Sequence, residues 1–283
     1  MAIFQYAFMR HAMEAGLLVS IACGIIGSYV VVKKMAFMAG GVAHISFGGI
    51  GLGYFLGFNP LLTAMAFTTA SAIGIGFSTK KSRLSEDTLV GVFWASGMAL
   101  GALFIALTPG YPPDLFSYLF GDILAVSPTD LILMLVIDVV IVLVVSLLYK
   151  ELLAVAFDEE FAQVRGVPAG ALYLLLLALI AFTVIALIRA VGIILVIALL
   201  TIPAAMARQY VRSLKGMMVL STVFGALFIF AGLFLSYVIN LNYGVRLSSG
   251  ATIVLLGALS FFITGAIKNF RRRSGPISRP GTT

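Results

Sequence analysis

Long uninterrupted apolar stretches, repeated along almost the whole chain, decide most of what this sequence is able to fold into. A helix needs about 20 apolar residues to cross the hydrocarbon core of a bilayer. Nine segments meet or approach that length: 13–32, 38–57, 60–78, 88–108, 130–149, 170–188, 191–207, 217–239 and 250–267. Inside lipid, backbone N–H and C=O groups find partners only in helices or closed barrels. Barrel strands are short alternating segments, and these runs are long and continuous. The expectation is an all-α, polytopic bundle of eight to nine membrane helices, with residues 1–270 as a single transmembrane domain. Composition agrees, because 10% charged residues is far below the roughly 25% of a soluble domain.

The connections between the runs carry the charge, and they test the count. With the amino terminus outside, 33–37, 79–87, 150–169, 208–216 and the tail after 267 face the cytoplasm, and they hold 15 of the 18 basic residues. Only Arg10, Arg189 and Arg246 fall on the other side. Lys and Arg collect in cytoplasmic loops, so orientation explains the net charge of +7 better than nucleic acid does. The expected location is the cell (inner or plasma) membrane, multi-pass, with the carboxyl terminus cytoplasmic. No cleavable signal peptide is expected, since the first run lacks a clear cleavage site and is flanked by Lys33 and Lys34. The single cysteine, Cys23, excludes an intramolecular disulfide and reads as a small buried hydrophobe. Residues 271–283 read as a disordered cytoplasmic tail.

The most informative connection is Phe157-Asp158-Glu159-Glu160-Phe161-Ala162-Gln163-Val164-Arg165-Gly166-Val167-Pro168. Asp158 suits an N-cap, and Glu159 and Glu160 suit the positive end of a helix dipole. Gly166 and Pro168 then stop the helix. The result is either an ordinary solvated loop helix or a docking knob, with Phe161 and Val164 as anchors for a partner's groove.

This segment resembles the coupling segment of the zinc/manganese/iron permease family of ABC importers. Three further stretches match that family in order. They are Tyr118–Val126, the run from Val191 and Gly192 through Pro203 to Ala207, and Ser249–Val254. The resemblance covers about residues 10 to 270. It implies a homodimer of permease subunits in membrane lipid. Each subunit docks a cytoplasmic ABC ATPase through 157–168 (Asp158, Glu159, Glu160, Phe161, Ala162 and Gly166), and an extracytoplasmic metal-binding protein delivers the cargo. It also implies a broken helix at Gly192 and Pro203 along the path. The transported ion is then zinc, manganese or iron, with no permanently bound cofactor. No Walker-type loop occurs, so the chain is expected to be the translocation subunit and not an enzyme.

The second run opens with Met38-Ala39-Gly40-Gly41-Val42-Ala43-His44. Metal-binding members of the family are expected to carry Asp and His four residues apart, on one helix face. His44 matches that pattern, whereas Gly40 stands where the Asp is expected. His44 is thus either a path ligand or a packed histidine hydrogen-bonded to backbone. Asp122 either orders the outer segment or meets incoming metal. Asp138, in mid-run, faces the bundle or the path, or carries a proton. At the start of the fourth run, Glu86 and Asp87 suit helix capping or contact with metal at its exit. The alternative function is an ATP-independent secondary transporter or channel, which calls for more buried charge. An intramembrane enzyme lacks any paired catalytic residues.

Overall fold

Among the described residues ten α-helices follow one another: α1 (Ala7–Val32), α2 (Ala36–Leu56), α3 (Pro60–Lys81), α4 (Glu86–Leu107), α5 (Pro128–Leu147), α6 (Tyr149–Phe157), α7 (Glu159–Val164), α8 (Ala169–Ala207), α9 (Leu214–Tyr243) and α10 (Ser249–Arg273). The computed structural model describes residues 7–81, 84–109, 121, 123–244 and 247–273. Of the expected tail 271–283, residues 271–273 belong to α10; its remainder, residues 110–120 of the outer segment and Asp122 lie outside the described residues. Among the described residues eight helical stretches are long and apolar enough to cross a membrane, and Val191–Ala207 is a shorter apolar helix. The chain is therefore a multi-pass membrane protein of the expected class.

Local chemistry sets the helix ends. Ser85 caps α4 by accepting from the Thr88 amide at 3.2 Å, so the cap is the serine, while Glu86 and Asp87 occupy the first turn. Ser127 and Asp130 form a reciprocal capping box at the start of α5, satisfying two amides that would otherwise lack acceptors. Pro203 lies inside α8 without breaking it. Only Gly192 leaves helical geometry, at φ 74° and ψ 163°, a region that glycine alone enters cheaply. Of the two expected positions, Gly192 leaves helical geometry and Pro203 stays within the helix.

That one residue reverses the chain. A straight helix of 39 residues would run about 58 Å, nearly twice the ~30 Å hydrocarbon core. Instead both ends of α8 lie beside the end of α1. The Lys33 ammonium sits 5.7 Å from the Tyr173 ring centroid, and the Arg208 guanidinium donates to the Val31 carbonyl at 3.2 Å. Residues 169–191 rise and 193–207 return.

The other helices alternate in the same way. Along α1 and α9, Gly16 meets Ile229 and Ser20 meets Gly225, so these two run antiparallel. Gly49 on Ala64 and Gly53 on Pro60 make α2 and α3 a hairpin. Gly41 beside Val90 and Gly51 beside Gly101 set α2 and α4 parallel. At the end where α1 finishes lie Lys33, Lys34, Lys150, Arg165, Arg208, Arg212, Lys215 and Lys268; among the described side chains only Arg10 is a cation at the opposite end. We call these the basic and outer ends.

The core consists of α1, α2 and the rising arm of α8, whose spans are mostly buried, while α3, α4, α5, α9 and α10 ring it. The ring presents side chains such as Leu143, Leu255 and Phe262 outward, as lipid solvation requires. Packing of α2 on α4 depends on small residues. A methyl group built on Gly51 would lie 2.5 Å from the Gly101 carbonyl oxygen. Gly51→Leu is therefore expected to push the helices apart and to cost about 1–3 kcal/mol or more in overpacking. The readout is a lowered unfolding midpoint of the purified protein in detergent; an unchanged midpoint would contradict this packing.

Candidate functional site

Two places concentrate functional side chains: a turn of α2 inside the bundle and the α6–α7 knob at the basic end. On α2, His44 follows Gly40 by one turn and shares its face. The imidazole is half-buried and lies flat on the Trp94 indole of α4, with ring centroids 4.3 Å apart and planes 10° from parallel. Its Nδ1 is buried and has no hydrogen-bond partner among the described residues. That differs from the packed histidine bonded to backbone, and it leaves a nitrogen lone pair or N–H uncommitted.

Gly40 is buried, with room for a Cβ. A methyl group there would meet only Ile197 Cδ1, at 3.9 Å, which is ordinary van der Waals contact. Ile197 belongs to the returning arm of α8, so the structure brings the broken helix and the His44 turn together. The reversal at Gly192 in turn packs against the Gly121 backbone, itself at φ 62°. Gly121 thus lies against the point where α8 turns back.

Asp138 occupies a different part of the bundle. It lies on α5, is 5% exposed, and its Oδ2 has no hydrogen-bond partner among the described residues. It sits within electrostatic reach of Cys23 on α1, on the seam between α5 and α1. Among the described residues, no cluster of three or more His, Cys, Asp or Glu side chains is arranged to hold a metal ion. Any ion meeting His44 meets few protein ligands, and transient binding suits a path better than a store.

The knob is built as its residues dictate. Asp158 Oδ1 accepts from the Phe161 amide at 2.9 Å, and Glu159 and Glu160 fill the first turn. Gly166 at φ 79° closes the helix with paired bonds, from its own amide to Gln163 and from Val167 to Ala162, the Schellman arrangement. Ala162 turns inward at 1% exposure, while Phe161 at 53% and Val164 at 86% point away from the bundle. Arg165 covers one side of the Phe161 ring, 5.1 Å from its centroid.

One anchor had not been anticipated. Lys33, at the end of α1, donates to the Val155 carbonyl at 2.9 Å and to Glu159 at 3.5 Å. Tyr173 lies under the same ammonium, within electrostatic reach of Glu86 at the start of α4 and of Glu159. The knob is thereby tied to α1, to α8 and to the helix that carries Trp94. Lys33 had been legible only as a flanking charge, and Trp94 carried no local signal at all.

A bundle of alternating membrane helices with one broken helix, a half-buried imidazole on the turn of α2 beside its returning arm and an apolar knob on the basic end is the architecture of a membrane permease. A family profile described as the ABC 3 transport family matches residues 5–268. An uncharacterized membrane protein of Synechocystis sp. is 48% identical over 93% of this chain and 92% of its own. The manganese transport system membrane protein MntC of Listeria monocytogenes is 35% identical, covering 92% of this chain and 91% of that one. Among solved structures, PsaBC from Streptococcus pneumoniae in complex with Fab superposes with a TM-score of 0.81 at 32% identity, covering 93% of this chain and 92% of that chain. The chain belongs to the ABC 3 transport family, as a metal-type ABC permease and not the ATPase of such a system.

Proposed function

We propose that this permease imports manganese, moving it from the outer end to the basic end, with the basic end in the cytoplasm. The observation that carries the reading is the exposed apolar knob, Phe161 and Val164, on a capped helix at the basic end. Such a surface is costly to leave in water and suits the groove of a soluble partner. The partner in this reading is a cytoplasmic ABC ATPase, and residues 157–168 are the coupling segment. Two copies of the chain pair in the membrane, and an extracytoplasmic metal-binding protein delivers the ion near Gly121, Asp122 and Gly192.

Manganese is favoured over zinc and iron because several relatives carry manganese transport in their names. Within the permease the ion passes the His44 turn, beside the returning arm of α8. Gly192 lets the returning arm of α8 swing against α2 while the rising arm stays in the core. Asp138 serves the packing of α5 on α1, so Asp138→Asn is expected to keep uptake; its loss would move the path toward α1.

The test of the cargo is accumulation of Mn(II), Zn(II) and Fe(II) in cells lacking their own importers, with this chain expressed beside its ATPase and binding protein. Manganese accumulation that excess zinc does not abolish is the expected result. Accumulation of zinc or iron alone would overturn the manganese assignment.

A further inference from the structure

On the lipid-facing side of the bundle, α5 and α9 each pack on α1 without a packed seam between them. The gap is a cleft of about 540 Å³, well within the size range of ligand sites. Val145 and Met218 form its floor and are buried, whereas Val142 and Val219 stand exposed on its rim. Its length is set by α9, from Lys215 to Val223, about 12 Å at 1.5 Å per residue. One leaflet of the hydrocarbon core is about 15 Å deep, so the cleft belongs to the leaflet at the basic end.

The polar end of the cleft is built differently from its walls. Lys215 reaches across the mouth and holds its ammonium 4.7 Å from the Tyr149 ring centroid. Among the described residues Lys215 has no carboxylate partner, the recorded ion pair being Lys33 with Glu159. Along the chain Lys150 follows Tyr149, and Arg212 lies three positions before Lys215. An apolar slot one leaflet deep, closed at headgroup level by an unpaired cation, has the shape and charge of a phospholipid with a net negative headgroup. A lysine that merely snorkelled to water would not need to span the mouth of a cleft.

We infer that this cleft is a binding site for one anionic phospholipid. The acyl chain lies between α5 and α9, and the phosphate sits on Lys215 beside Tyr149. The inference needs only that the chain spans a bilayer, and it stands apart from the identity of the cargo.

The test uses the full chain purified with its ATPase and exchanged into micelles carrying equal amounts of phosphatidylglycerol and phosphatidylcholine. Retained lipid is counted by native mass spectrometry. The intact protein is expected to retain phosphatidylglycerol in preference. Lys215→Gln should reduce that preference about fivefold, the pull of one basic residue on an anionic lipid, and Lys215→Arg should restore it. Val219→Trp, which fills the slot, should lower retention of both lipids. An undiminished preference in Lys215→Gln would overturn the site. So would efficient cross-linking of two copies through Val219→Cys, because the cleft would then be covered by a second chain.

Discussion

Replacing Phe161 and Val164 together by aspartate is expected to abolish ATP-driven uptake while leaving the permease folded. Both side chains are exposed, so the bundle loses nothing when they change, and Asp158 still caps the helix. Burying two such apolar side chains in a partner's groove is worth about 3–5 kcal/mol, and two new carboxylates in that groove oppose docking further. The ATPase should therefore bind at least about a hundredfold more weakly. Copurification of the ATPase with the variant reads this directly, and an unchanged unfolding midpoint establishes that the fold survives. Normal copurification and normal uptake would place the coupling surface elsewhere on the basic end.

The second large effect concerns the α2 turn, where two substitutions are expected to act in opposite directions. His44→Ala removes the imidazole whose Nδ1 is unpartnered among the described residues, and uptake should fall by roughly tenfold or more, the scale of one lost ligand in a weak site. Gly40→Asp places a carboxylate one turn before it, at a position where a Cβ meets only ordinary contact with Ile197. The pair then shares an ion across i and i+4, and manganese affinity should rise by at least about tenfold, because ligand charge tunes affinity for hard cations. Titration calorimetry of the detergent-purified chain measures the rise. Transport need not follow it, since tighter binding delays release. If Gly40→Asp leaves affinity unchanged and His44→Ala leaves uptake intact, the path does not pass this turn.

How far the sequence carried the fold differs from element to element. The apolar runs and the clustering of Lys and Arg anticipated the alternating spans, because bilayer thickness and loop charge act on local stretches of chain. The α7 knob was readable too: Asp158, Glu159, Glu160 and Gly166 do their work within one turn of where they stand. The resemblance in the 191–207 stretch pointed to both Gly192 and Pro203, yet only Gly192 breaks the helix. A proline inside a membrane helix forfeits one backbone bond that neighbouring helices help to offset, whereas a residue at φ 74° leaves helical geometry altogether.

Contacts between distant parts of the chain were not readable in this way. Lys33 and Glu159 are 126 positions apart, and the stacking of His44 on Trp94 depends on how closely the glycines let α2 approach α4. The role of Gly40 changed as well. In the sequence it is a missing ligand, and in the structure it is a buried position with room for a Cβ beside the returning arm of α8.

The most direct test of the account is metal uptake into liposomes containing this chain, its ATPase and its binding protein, with and without ATP. The account predicts manganese uptake that requires both ATP and the ATPase and that disappears in the Phe161→Asp, Val164→Asp variant. Uptake of equal rate without ATP or without the ATPase would contradict it and would make the chain a secondary transporter or channel.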